Sequence, residues 1–406
     1  MDKKIEEKIG YVFGGTLIVF CLTFAIVYPK AVDVGYETDY LTHAQWAMDL
    51  NTHIFSYMSK RNPYPLWHIV VRSLYKFFSF SVPTSVAGAT ALFNCIAFWS
   101  IIYAWDFLSN KSTTLRTKVF WAICILWMGP LYAPGFNERY YLGQGTGNIW
   151  HNPTHIAVKG FAVLCFVWIV RLVNQDVEHR KWEYFLLSIF LFLSALAKPS
   201  FIQVMIPGLG MYFIYDLLSN KGDKARLIHF CRIAATFIPS VALLGVQLII
   251  VYFSPVTSMY GERGIGVAYG SVLSEWSDNL FISLLLTLAF PIFVFLINVR
   301  GLLKDNSVII AFFYGLCGWL EAAFLYEDGN SKMQANLTWG WSLSLLIIWM
   351  LSVIKYLDII RDETISSKKR IVCLCLGMPI LFFHVVFGIG YFIALSHGYT
   401  VDIIIT

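Results

Sequence analysis

Charge is scarce in this chain of 406 residues: Asp, Glu, Lys and Arg together make up only 14%, whereas a soluble domain carries roughly a quarter. A surface that poor in charge does not suit water as the only solvent. Cysteine pairs at a metal or redox spacing are missing too. The eight Cys are scattered, several lie inside apolar runs (Cys95, Cys124, Cys165, Cys317), and Cys373 and Cys375 form only a C-x-C. They read as small apolar fillers. There is no tandem repeat, low-complexity segment or linker, so one membrane domain over 1–406 is expected, with no soluble appendage. No cleavable signal is evident, because the run from Tyr11 to Tyr28 is long enough to span and reads as a retained first helix.

What the chain does have is apolar and aromatic residues. Hydrophobic residues make up 58%, with 33 Phe, 22 Tyr and 14 Trp, and the mean hydropathy is +0.64. Trp and Tyr favour the headgroup level of a bilayer. The expected fold class is an all-α integral membrane protein with about eleven transmembrane helices of roughly 20 residues each. They are placed at 10–28, 84–107, 119–134, 156–173, 184–198, 200–217, 231–253, 281–299, 307–325, 338–357 and 371–395. The third and fifth are short.

Orientation follows from the cations. With the N-terminus cytoplasmic, 20 of the 30 Lys and Arg fall in inner segments, and five of the other ten lie in one long loop. Short loops rich in Lys and Arg stay inside. The net charge of +5 comes in short clusters between apolar runs, which argues against nucleic acid as a partner and leaves membrane lipids. The pattern suits a multi-pass protein of a bacterial plasma membrane and is compatible with an organellar one.

The longest non-spanning stretch, 29–83, is expected to contain helices of its own. Residues 38–50 fit an amphipathic helix with Leu41, Ala44 and Met48 on one face and Asp39, Thr42 and His43 on another. Residues 63–79 form a second candidate, on which His68, Arg72 and Lys76 line up at i, i+4 and i+8. Both helices suit the interfacial plane. The cationic stripe either binds a lipid phosphate or snorkels to headgroups. Asp39 and His43, one turn apart, either share a proton or a metal, or Asp39 simply caps a helix. Glu37 is a rival acid.

Other polar clusters fall on the same side of the membrane. Residues 137–155 are Gly-rich and aromatic, but Gly143, Gly145 and Gly147 follow no strand and make no dinucleotide fingerprint. Trp150, His151, Asn152 and His155 read either as a sugar-contacting edge or as packing. Lys198, with Pro199 and Ser200 at an outward hairpin, is costly at that depth unless it meets a phosphate or a carboxylate. Glu327, Asp328, Lys332 and Asn336 form a last cluster, which Glu321 can join. The inner loops are short and basic, with no recognisable site.

These features together resemble the GT-C superfamily of integral-membrane glycosyltransferases. The likeness rests on the inner N-terminus and on Glu37 to His43 after the first span. It rests also on the two helices of the first outer loop, the second starting Tyr64-Pro-Leu-Trp-His68, and on Lys198-Pro199 at an outer hairpin. Residues 148–154, Glu327-Asp328-Gly329 and 336–340 look similar to motifs of bacterial members. The usual paired acid after the first span is split here by Thr38.

The resemblance implies transfer of a sugar from a polyprenyl-phosphate donor to a glycan or lipid acceptor at the extracytoplasmic face. Asp39 is then the general base, and Arg72, Lys76 or Lys198 stabilises the leaving phosphate. Glu327 or Asp328 holds sugar hydroxyls, and Glu37, His43, His68, Trp150, His151, Asn152, His155 and Asn336 contact substrate. No cofactor is called for. No metal-ligand spacing is present, although a divalent metal stays compatible. The rival readings are a polysaccharide polymerase or ligase on lipid-linked glycans, which favours a late outer loop rich in Arg, and a lipid or solute transporter, which favours midplane charges and two related halves.

Overall fold

The computed structural model describes residues 3–33, 35–36, 38–50, 53–133, 136, 145–174, 179–253, 264–329, 332 and 335–397. The chain is 78% helical with almost no strand, and it has the character of an all-α membrane protein. Among the described residues, eight helices are long and apolar enough to cross a membrane, or nine if one bent pair counts as a single span. They coincide with expected spans one, two, four, six and eight to eleven. The bent pair, α10 (Lys224–Ala235) and α11 (Ile238–Phe253), coincides with the seventh. The third and fifth are shorter: α6 (Leu115–Trp127) has 13 residues and α8 (Lys181–Ala197) has 17.

The first long helix is α1 (Lys3–Lys30). The outer-loop segment then folds as α2 (Tyr40–Asp49), α3 (Ile54–Lys60) and α4 (Leu66–Phe78), with α3 not anticipated from sequence. The central pillar is α5 (Val82–Leu108), which packs along α1 and along α7 (Pro153–Val173). Helices α5 and α7 approach closely because Gly160 has no side chain; a Cβ there would lie 2.7 Å from Ile96 Cγ2 and 3.0 Å from Ala97 N. Behind them α9 (Ser200–Ser219) packs on α14 (Asn306–Phe324), with Gly208 against the Tyr314 backbone. α14 in turn packs on α15 (Trp339–Arg361). The remaining elements are α12 (Leu280–Ile297), α13 (Val299–Leu302), α16 (Ser367–Val372), a five-residue π turn at Cys373–Gly377, and α17 (Met378–Ser396). Two three-residue strands, β1 (Ile265–Val267) and β2 (Leu325–Glu327), pair antiparallel.

Local chemistry sets these boundaries. Ser81 Oγ accepts from the Thr84 N–H to open α5, and Asn152 Oδ1 accepts from the His155 N–H to open α7. Each helix also has Pro in its first turn, where the missing N–H costs nothing. The expected third span, 119–134, stops early. Pro130 cannot continue a helix and disfavours helical geometry at Gly129, so the chain leaves α6 at Met128 and runs extended. The Asn148 amide closes the broken end, donating to Ile125 O (2.7 Å) and Met128 O (2.9 Å). Residues 145–152 thus run back into the bundle. Gly147 lies against the backbone of Leu346, where a Cβ would meet Leu346 N at 2.7 Å. Non-helical backbone at such depth is tolerated only when protein groups satisfy it.

All eight cysteines are unpaired thiols, and five of them are buried or half-buried. Charged side chains gather at the helix ends. At one end the ion pairs close on themselves. Lys355 meets Asp305 at 2.6 Å, Arg226 meets Asp216 at 2.8 Å and Arg171 meets Glu183 at 2.5 Å. Asp358 there accepts from Ser109 Oγ (2.5 Å) and Asn110 N–H (2.8 Å). The opposite end, where α2, α7, α9 and α15 begin, is built differently.

The crossing of α17 over the end of α6 gives a stability test. A Cβ on Gly388 would sit 1.7 Å from Trp127 O and 2.6 Å from Gly129 N, both backbone atoms. Gly388→Ala is expected to cost about 1–3 kcal/mol, seen as a lower melting temperature in detergent. Gly210→Ala, with open space around it, is expected to be neutral or stabilising, since Ala exceeds Gly by about 1 kcal/mol inside a helix.

Candidate functional site

Asp39 stands at the start of α2, yet its side chain makes no cap bond to that helix. Its N–H donates to His151 O (3.1 Å), and its Oδ2 accepts from the Asn152 Nδ2 at 2.6 Å. The helix-cap alternative for this carboxylate is thereby set aside. Asn152 Oδ1 accepts from three donors: Thr154 Oγ1 (2.8 Å), the His155 N–H (2.9 Å) and Lys198 Nζ (3.3 Å). The Lys198 ammonium is buried. It also reaches Thr154 Oγ1 at 3.5 Å and lies 3.6 Å from the centre of the Trp339 ring. Segments at 39, 152–155 and 198 therefore meet on one amide, with Trp339 stacked against the Lys198 ammonium.

The meeting point brings both signs together: the Asp39 carboxylate and the carbonyl end of α8, which stops at Ala197 beside Lys198, share it with several helix starts. α2, α7, α9 and α15 all start here, and each helix start carries a partial positive charge from its free N–H groups. Three of the four have no side-chain cap. Burying an ammonium costs several kcal/mol. Two long hydrogen bonds and a cation–π contact of about 2 kcal/mol offset that only in part. The ammonium is therefore left short of acceptors. Three buried polar atoms nearby have no hydrogen-bond partner among the described residues: Ser200 Oγ, His155 Nδ1 and Trp339 Nε1. Such an arrangement is suited to an anion.

His43 lies on the buried face of α2 with Tyr40, Ala44 and Ala47, not on an exposed face with Thr42 as the sequence suggested. Its Nδ1 is 2.9 Å from His68 Nε2 on α4. Both rings are fully buried beside Trp46 and Trp67. The expected stripe on α4 is graded: His68 is buried, Arg72 is half-buried with its guanidinium 3.6 Å from Met48 Sδ and over the Tyr75 ring, and Lys76 is exposed. Of the three expected phosphate-binding cations, only Lys198 shares a partner with Asp39.

The remaining expected residues divide in the same way. His151 and His155 lie beside Trp339, with ring centres 5.9 and 5.4 Å away. Trp150 instead turns inward, packed on Trp127 and Phe392 with Lys159 Nζ 5.2 Å from its ring. Glu327 is buried and accepts from Asn336 Nδ2 at 2.7 Å, bracing the turn three residues before Trp339. Asp328 is exposed and donates its N–H to Gly264 O. Glu321 does not join that pair; it bonds to Gln203 Nε2 on α9 and lies against Gly340. Glu37 lies outside the described residues. Gly145, at φ +76°, and Gly147 serve packing against α15, and Gly143 is outside the described residues.

Trp339, Thr154 and Lys159 were not singled out from sequence. Trp339 and Thr154 lie within stretches that drew attention, but nothing in their spacing marks a cation platform. Lys159 reaches Asn148 Oδ1 at 3.0 Å and steadies the cap on α6. Among the described residues no three His, Cys, Asp or Glu side chains come together to hold a metal. Comparison with known protein families and with curated proteins finds no match, so the site is interpreted from its own chemistry.

The histidine pair carries a pH prediction. Burial holds both rings neutral: His68 is lowered to about 3, and His43, lowered also by His68 and Lys198, falls well below its ordinary value. An unfolded His takes up a proton below about 6.5. Stability is therefore complete above that pH and falls as pH drops toward 3, by about 1 kcal/mol per pH unit for each ring. Thermal melts in detergent between pH 7 and 5 are expected to show this slope, and the His43→Gln/His68→Gln double variant a shallower one.

Proposed function

We propose that the protein is a membrane glycosyltransferase, acting as the GT-C resemblance implies. It moves a sugar from a polyprenyl-phosphate donor to a hydroxyl of a glycan or lipid acceptor at the extracytoplasmic face. The observation that carries this reading is the pairing of an uncapped carboxylate, Asp39, with a buried cation, Lys198, at the two ends of the Asn152 amide. Sugar transfer from a phosphate needs both: a base for the acceptor hydroxyl, and positive charge for the departing phosphate. In this reading the chain crosses the bilayer eleven times, with α6 plus its extended continuation and α8 supplying the two short crossings. The Lys and Arg bias then puts the Asp39 end outside.

The step balances simply. The acceptor oxygen forms a bond to the anomeric carbon as its proton passes to Asp39. The bond from that carbon to the donor's phosphate oxygen breaks, and polyprenyl phosphate leaves with the electron pair. Lys198 and the starts of α7, α9 and α15 face the charge that develops. His151, His155 and the Glu327–Asn336 pair are the nearest expected contacts for sugar hydroxyls. An apolar groove of about 600 Å³ runs between α12 and α14 over α15, from Trp341 to Lys355. Fourteen residues of helix correspond to roughly 21 Å, which suits the hydrocarbon chain of the donor.

Purified protein is to be assayed with a panel of polyprenyl-phosphate sugars. Asp39→Asn is expected to lower transfer by about 10²–10⁴-fold in a protein that melts like the wild type. Lys198→Ala is expected to lower transfer at least about a hundredfold, because the departing phosphate loses its cation. Lys198→Arg, which stays charged, is expected to retain more of the activity than Lys198→Ala. Retained transfer in Asp39→Asn moves the base to another acid, and no transfer from any donor overturns the enzyme reading in favour of transport, tested next by lipid scrambling.

A further inference from the structure

We propose that Asn152 is a positioning residue: its amide orients the Asp39 carboxylate and keeps the Lys198 ammonium from closing onto it. This rests on the reading of the site given above, but part of its test does not need sugar transfer.

The amide cannot turn over. The His155 backbone N–H only donates, and it points at one end of the Asn152 side chain at 2.9 Å; that end must be the oxygen. Thr154 Oγ1 and Lys198 Nζ reach the same oxygen. The nitrogen is thereby aimed at Asp39 Oδ2, 2.6 Å away. The oxygen has more donors than lone pairs, so no acceptance is left there for a substrate. A substrate contact of Asn152, as expected from sequence, would thus use the second hydrogen of its Nδ2.

The chemistry at stake is the availability of the base. A half-buried carboxylate and a buried ammonium with nothing between them attract strongly, and a carboxylate locked in an ion pair is a poor proton acceptor. At the opposite end of the bundle such pairs do close, as at Lys355–Asp305 and Arg226–Asp216. Here a neutral amide stands in the gap. It offers the carboxylate a hydrogen bond and the ammonium an acceptor without carrying charge. Asp39 keeps a lone pair for an acceptor hydroxyl, and Lys198 keeps a hydrogen for an anion.

Lys198 itself reports on the arrangement. The titratable groups facing it are Asp39 and His43 from α2 and His155 from α7, and the Tyr64 and Trp339 rings complete its surroundings. Only the neutral form of its amine is a nucleophile, so its reactivity falls as the ammonium is held more tightly by a carboxylate. Reductive methylation with formaldehyde and a borohydride, read residue by residue by mass spectrometry, measures that neutral amine.

In the intact protein at pH 8, Asn152→Ala is expected to slow labelling of Lys198 at least tenfold, because Asp39 then pairs with it directly. The Asn152→Ala/Asp39→Asn double variant is expected to restore it. Asn152→Asp keeps a cap on α7 and is expected to slow labelling with no rescue by Asp39→Asn. With an active donor, Asn152→Ala is expected to lower kcat about a hundredfold, as a misplaced base does, and to leave the donor KM within about threefold. Wild-type labelling in Asn152→Ala overturns the proposal whatever happens to transfer. So does equal loss in the single and double Ala variants, which makes Asn152 only a cap. Normal Lys198 behaviour without transfer from any donor leaves Asn152 as the spacer and overturns the glycosyltransferase reading alone.

Discussion

The ammonium of Lys198 sits where four helices begin, and much of the surrounding structure follows from the cost of holding it there. Its water is replaced by one amide oxygen, one hydroxyl and two aromatic faces, Trp339 closely and Tyr64 at longer range. Each comes from a segment that has to be brought in from elsewhere in the chain. α7 supplies Asn152 and Thr154 only because Asn152 also serves as its cap. α15 supplies Trp339 through a turn braced by Glu327 and Asn336. α11 supports the hairpin from outside, with Gln247 donating to both Pro63 O and Ala195 O. Several positive helix starts add to the cost of the buried ammonium, and the carbonyl end of α8 and the Asp39 carboxylate act against it.

The same economy of buried polar groups explains the irregular backbone nearby. Stopping α6 early exposes carbonyls inside the bundle, which Asn148 satisfies while Lys159 holds Asn148 in place. The extended segment at Gly129 is held from the other side, its N–H donating to His384 O and its own carbonyl 2.6 Å from His384 Nδ1. The carbonyls freed by the break in α6 thus hold the 145–152 segment, which leads directly to Asn152.

Hydropathy carried most of the fold. The long apolar runs between Tyr11 and Tyr28, 84–107 and 338–357 leave little freedom, because only a helix satisfies its own backbone in lipid. The helices at 40–49 and 66–78 were legible from their amphipathic spacing. Where Asp39 would point was not, because a carboxylate before a helix usually caps it and only the arrival of Asn152 from 113 residues away diverts it. His43 was assigned to the wrong face for a related reason: a polar ring looks solvent-bound until a second ring, His68, is found to share its hydrogen bond. Trp339 was hidden because a Trp at the start of an apolar helix normally marks the headgroup level. Long-range partners of polar groups leave no periodic trace in a single sequence.

The first and last long helices are fastened together. Lys30 at the end of α1 donates to Leu395 O at the end of α17, at 2.7 Å, and α17 also grips the broken end of α6 through His384 and Gly388. During synthesis α1, α6 and α7 emerge long before α17 exists. Until the last helix arrives, Lys30 has no carbonyl to bond and the segment after α6 is held on one side only. The last helix therefore closes contacts that the early helices leave open, tying the two ends of the chain into one bundle.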